Sequence, residues 1–71
     1  MSVEAKIKQY LQDNGISQAH LSRKTLIKPD KLNLTLNENR RLTFEEYENI
    51  CWALDLEPNV FLEAREPREV A

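Results

Sequence analysis

Val3, Ile7, Tyr10 and Leu11 recur at i, i+4, i+7 and i+8, with polar residues between them. That spacing draws one apolar stripe along a helix and predicts an element from about Ser2 to Asn14. Ser2 is placed to cap it. Asn14-Gly15 is placed to stop it, because glycine accepts the left-handed conformation in which helices end. Ser17 is the next N-cap, with Ile16 and Leu21 set as a hydrophobic staple across it. The helix it opens covers Gln18 to Thr25, with Leu21 inward.

A third helix is predicted from Pro29 to about Asn37. Proline already holds a helical φ and has no amide to lose in a first turn, and Asp30 suits the positive end of the helix dipole. Leu32 and Leu36, at i and i+4, mark its inner face. Two helices of about two turns, joined by about three residues, form a helix-turn-helix rather than an antiparallel hairpin. The polar stretch "NENRRL" follows. Thr43, with Glu46 three residues on, predicts a capping box for a fourth helix. Its buried stripe is read as Phe44, Tyr47, Ile50, Cys51 and Leu54, and Pro58 is read as opening a short fifth helix with Val60, Phe61 and Leu62. No stretch alternates as a strand would, so the fold class is all-α.

The chain has 71 residues, enough for one small domain. Residues 1–63 are expected to form it, and 64–71 to be a charged, frayed tail. The single cysteine excludes a disulfide framework and a cysteine-based metal cluster. No apolar run approaches the ~18 residues of a membrane helix, and no basic-then-apolar leader opens the chain. A cytoplasmic protein without membrane contact is expected. Cys51 reads as a core residue and His20 as solvent-facing. There is no Ser/His/Asp set, no carboxylate pair in a plausible cleft and no phosphate-binding glycine loop. An enzyme, a metal and a cofactor are therefore not expected.

Charge is unevenly spread. The formal net charge is -2, yet residues 17–41 hold Arg23, Lys24, Lys28, Lys31, Arg40 and Arg41 against Asp30 and Glu38. Residues 42–71 hold eight acidic residues against Arg65 and Arg68. The asymmetry fits a polyanion on one side of the molecule, and it equally fits solvated helix faces without a partner.

The stretches "SQAHLSRKT", "LNLTLNENRRLT" and "EYENICWALDL", in this order and spacing, resemble the small DNA-binding domains of phage repressors and Cro-type regulators, the XRE-like helix-turn-helix family. The resemblance covers about residues 3–62. It implies a compact five-helix, lambda-repressor-like domain whose third helix lies in the major groove of double-stranded DNA. It implies a sequence-specific transcriptional regulator, a repressor of phage or bacterial origin, bound as a homodimer to a palindromic site, with no evident small-molecule effector.

Transferred residue by residue, the resemblance gives DNA-binding roles to Ser17, Gln18, Lys28, Pro29, Asp30, Lys31, Asn33, Leu34, Asn37, Asn39, Arg40 and Arg41. Asn33 suits a two-pronged contact to adenine, Lys31 a guanine or phosphate, Asp30 a cytosine amine and Leu34 a thymine methyl. Asn37, Asn39, Arg40 and Arg41 would grip phosphates and so set register without reading sequence. Trp52, Phe61 and Leu62 are the candidate dimer surface.

Leu26 and Glu38 stand where the family usually carries glycine. A positive φ at Leu26 costs a branched residue about 1 kcal/mol, and the stop after the third helix is expected to move to Asn37 or Asn39. Glu38 and Asp30 also place negative charge near phosphates. These departures leave a second function class in view, a protein-interaction module of the same fold, antitoxin- or antirepressor-like, with weak or no DNA binding. A third is the DNA-binding part of a longer repressor, with "EPREVA" opening its linker.

Overall fold

The computed structural model describes residues 2–62, in which four helices follow one another: α1 Val3–Asp13, α2 Gln18–Thr25, α3 Pro29–Leu36 and α4 Phe44–Ala53. There is no strand among the described residues. Three of the four helices begin at a capping hydroxyl. Ser2 Oγ accepts from the Ala5 amide at 3.1 Å, Ser17 Oγ from the His20 amide at 3.0 Å, and Thr43 Oγ1 from the Glu46 amide at 3.2 Å. Each bond satisfies a first-turn amide that has no partner within its own helix. The Glu46 carboxylate returns to the Thr43 amide at 3.0 Å, which completes the capping box. At α3 the N-cap is Lys28, which makes no side-chain cap bond, and Pro29 opens the helix instead.

Four left-handed residues follow the helix ends: Gly15 (φ 64°), Leu26 (φ 62°), Glu38 (φ 64°) and Asp55 (φ 57°). The stop after α3 therefore stays at Glu38 and does not move to Asn37 or Asn39. With Glu38 left-handed, its own amide reaches the Thr35 carbonyl at 3.0 Å and the Asn39 amide reaches that of Leu34 at 2.8 Å. Two carbonyls of the last turn are thereby satisfied.

Ile7, Leu11, Leu21, Leu32, Leu36, Tyr47, Ile50, Cys51 and Phe61 form the buried core. Each fully buried aliphatic side chain of this size contributes about 1.5–3 kcal/mol of transfer free energy. Two expectations for this core fail. Phe44, read as part of the buried stripe of α4, is 71% exposed: it is the first residue of the helix, and the buried residues of α4 are Tyr47, Ile50 and Cys51. Phe61, read as a dimer residue, is 7% exposed: its ring packs edge-on against Tyr10 and Tyr47, with centroids 5.7 and 6.4 Å away.

The short fifth helix is also absent from the described residues. The segment at Pro58 makes turns, with i→i+3 bonds from the Val60 amide to the Glu57 carbonyl and from the Leu62 amide to the Asn59 carbonyl, both 3.1 Å. The Pro58 carbonyl accepts from the Tyr47 hydroxyl, so it serves α4 rather than a helix of its own. The predicted tail, 64–71, lies outside the described residues.

The α2–α3 junction is clamped by buried polar groups. Ser22 Oγ donates to the Ile27 carbonyl at 2.6 Å, and Thr25 Oγ1 accepts from the Ile27 amide at 3.3 Å. Asn49 of α4 donates to the Thr25 carbonyl at 2.7 Å. The connection that sets the direction of α3 is thus held from both sides.

Candidate nucleic-acid interface

α3 divides cleanly by exposure. Leu32, Thr35 and Leu36 are buried, while Pro29, Asp30, Lys31, Asn33 and Leu34 are exposed, as is Lys28 just before them. The spacing of the three buried residues fixes one face inward, so every residue that the resemblance placed on the reading face lies outside. Leu34 is only half exposed, at 46%.

A hydrogen-bonded strip crosses this outer face. Asn33 Nδ2 donates to Gln18 Oε1 on α2 at 3.3 Å. Asn37 Nδ2 donates to the Asn33 carbonyl at 2.9 Å, and Lys8 Nζ on α1 donates to Asn37 Oδ1 at 2.6 Å. The strip joins three helices through Gln18, Asn33, Asn37 and Lys8, and it fixes the Asn33 amide beside Gln18. The sequence pattern gives Lys8 no site role beyond balancing the charge of residues 1–16. It sits on the polar side of α1, outside the helix-turn-helix, and no local spacing signals its partner.

The loop after α3 is tied to α1 as well. Glu4 Oε2 accepts from the Leu42 amide at 3.0 Å, and Ser2 Oγ donates to the Glu38 carboxylate. The Glu38 carboxylate is therefore drawn toward the start of α1. Ser17, Asn39 and Arg41 are exposed, and Gln18 is half-buried.

Arg40 stands apart from the other candidate phosphate contacts. Its guanidinium donates to both carboxylate oxygens of Glu46 and to Thr35 Oγ1, at 2.9, 3.0 and 3.0 Å. The Arg40 guanidinium, seconded by the Thr43 bonds, holds the Glu46 carboxyl down from 4.5 to about 2 against the opposing effect of burial. The same hydrogen bond raises Arg40 above its ordinary value. A paired, bidentate guanidinium is a strut between α3 and α4 before it is a ligand for anything else.

Exposed cations follow α2, α3 and the next loop: Arg23, Lys24, Lys28, Lys31 and Arg41. Exposed carboxylates gather on and after α4, at Glu45, Glu48, Asp55 and Glu57. Trp52 at 76% and Leu62 at 56% are exposed, so two of the three candidate dimer residues face solvent. Cys51 is buried beside Tyr47, and burial pushes its thiol up, which suits a core residue rather than a nucleophile. Among the described residues no helix is long and apolar enough to cross a membrane, and no three His, Cys, Asp or Glu side chains converge as a metal site.

No curated protein and no solved structure matches the chain significantly. The family model for the Cro/C1-type HTH DNA-binding domain matches residues 6–65, from the first turn of α1 to beyond the Phe61 contact. Its span takes in the clamped α2–α3 unit, the outward face of α3 and the α4 strut. The chain belongs to the Cro/C1-type HTH DNA-binding domain family.

Proposed function

We propose that the protein is a sequence-specific transcriptional regulator, acting as a repressor, that reads the major groove of double-stranded DNA with α3. The observation that carries this reading is the free face of α3. Lys28, Asp30, Lys31 and Asn33 all project from a short helix whose opposite face is sunk in the core. A helix fits the major groove, and its first-turn amides and cations meet phosphates and base edges. Asn33, steadied by Gln18, is the adenine reader. Lys31 reaches guanine or phosphate, and Leu34 meets a thymine methyl. Ser17, Gln18, Asn39 and Arg41 hold the backbone and set register.

The test is a fluorescence-anisotropy titration against duplexes selected from a random pool, repeated at stepped salt. Each phosphate neutralised should add a slope of about -0.9 in log affinity against log salt. A flat, weak response with every duplex would sink this reading.

The protein binds DNA as a homodimer, with Trp52 and Leu62 on the shared surface. Large exposed aromatic side chains are the usual anchors of such contacts. Light scattering of Trp52→Ala should report the monomer mass where the wild type reports the dimer.

A second reading is a protein-interaction module of the same fold. Phe44 at 71% and Trp52 at 76% exposure, beside Glu45 and Glu48 on α4, favour it. A flat salt titration would favour this reading over the first.

A further inference from the structure

We propose that Lys8, on α1 and outside the helix-turn-helix, is a phosphate-binding residue of the DNA interface. This rests on the DNA-binding reading above. Of the four phosphate grips that the resemblance set after α3, Asn37 and Arg40 are occupied, while Asn39 and Arg41 stay exposed. Asn37 uses its carbonyl oxygen on Lys8 at 2.6 Å and its amide nitrogen on the Asn33 carbonyl at 2.9 Å. Arg40 is spent on Glu46 and Thr35. Besides the exposed Arg41, the Lys8 ammonium is delivered to that end of α3; it has three donors and gives one to Asn37.

Its position follows from the strip. Asn33 and Asn37 are i and i+4 on α3 and so share a face. Lys8 bonds Asn37 on that face, and Gln18 bonds Asn33. A duplex seated over Asn33 therefore passes Lys8 at one edge, with Lys28 and Lys31 near the opposite end of the helix. Lys8 shares an open cleft with Gln9, Gln12, Asn37 and Glu38, and Glu38 is the carboxylate that lines it. That carboxylate takes the Ser2 hydroxyl. Gln9 Nε2 donates to Asp13 along α1 at 2.8 Å.

The experiment measures binding of a labelled mixed-sequence DNA duplex at stepped salt for wild type, Lys8→Gln, Lys8→Met and Lys8→Arg, with thermal melts of each. Lys8→Gln and Lys8→Met are expected to flatten the log–log salt slope by about 0.9, the share of one phosphate. Lys8→Arg should keep the wild-type slope. A wild type without salt-dependent binding overturns the DNA reading itself. A normal wild-type slope that Lys8→Gln and Lys8→Met leave unchanged overturns only the role of Lys8. Equal flattening in Lys8→Arg also overturns it, because the loss would then follow the Asn37 bond and not the charge. Lys8→Met keeps the aliphatic stem, so one neutral variant retains the packing of α1 if the glutamine disturbs it.

Discussion

The Arg40 guanidinium grips the Glu46 carboxylate with two parallel hydrogen bonds, Nη1 to Oε1 at 2.9 Å and Nη2 to Oε2 at 3.0 Å. Arg40 also donates to Thr35, so one side chain ties the last turn of α3 to the first turn of α4. The pair turns an expected DNA contact into a brace for the helix that is proposed to touch DNA.

The brace should be acid-sensitive. The Glu46 carboxyl is held at about 2 in the folded chain against 4.5 ordinarily, chiefly by the Arg40 hydrogen bond. A depressed carboxyl pKa adds stability that is fully present above pH 4.5 and is lost as pH falls toward 2. Solvent screening at this partly exposed pair leaves a contribution of about 1 kcal/mol or less. Glu46→Gln should lose that amount at neutral pH and show a shallower decline through the acid window, read from urea midpoints by circular dichroism. Parallel pH profiles for the two proteins would mean that the pair adds no stability.

Arg41 and Arg40 are neighbours with different expected phenotypes. Arg41 is exposed and lines the cleft with Asn39 and Glu38. Arg41→Ala should flatten the salt slope by about one phosphate and leave the melting temperature close to wild type. Arg40→Ala should chiefly lower the melting temperature. Anisotropy and melting curves on the same samples separate the two effects, and interchanged results would show that the brace does not survive on DNA.

Leu26 is left-handed at φ 62° and 88% exposed, so the chain bears its strain without burying its side chain. Leu26→Gly should raise stability by about 0.5–1 kcal/mol, because glycine enters this region without a Cβ penalty. Leu26→Ala keeps the Cβ and should change little. Chemical denaturation of both variants checks the contrast. A stabilised alanine variant would point to the exposed leucine side chain, not the backbone, as the source of the cost.

Asn33 has its amide nitrogen 3.3 Å from Gln18 Oε1. Asn33→Ala should relax preference at one base position in a selected site, at about 1–3 kcal/mol of lost discrimination, and leave the salt slope unchanged. Gln18→Ala should blur the same position more weakly, through the orientation of Asn33. Competition with single-base variants of the selected duplex measures both.

Much of this molecule is legible before any coordinates. The four helices begin within about one residue of where Ser2, Ser17, Pro29 and Thr43 start them, since caps and prolines act on amides a few residues away. The side of α3 that faces out follows from Leu32 and Leu36 at i and i+4. The burial of Phe61 is not legible in this way. It sits between Val60 and Leu62, both exposed, and nothing in that run says which of three apolar neighbours meets Tyr10 and Tyr47. Phe44 is exposed although it keeps the spacing of the stripe, because a stripe defines a face and not which of its turns meets the core.

By itself, then, the order of residues determined the four helices, the stop at Gly15 and the outward face of α3. Those are set by bonds and periodicities spanning about four residues. Which cations remain free was decided by tertiary structure alone. Arg40 meets Glu46 across a loop, and Lys8 meets Asn37 from 29 residues away. Both pairings arise only when α1, α3 and α4 pack together, because Coulomb and hydrogen-bond partners are chosen by distance in space, which the spacing along a chain does not encode.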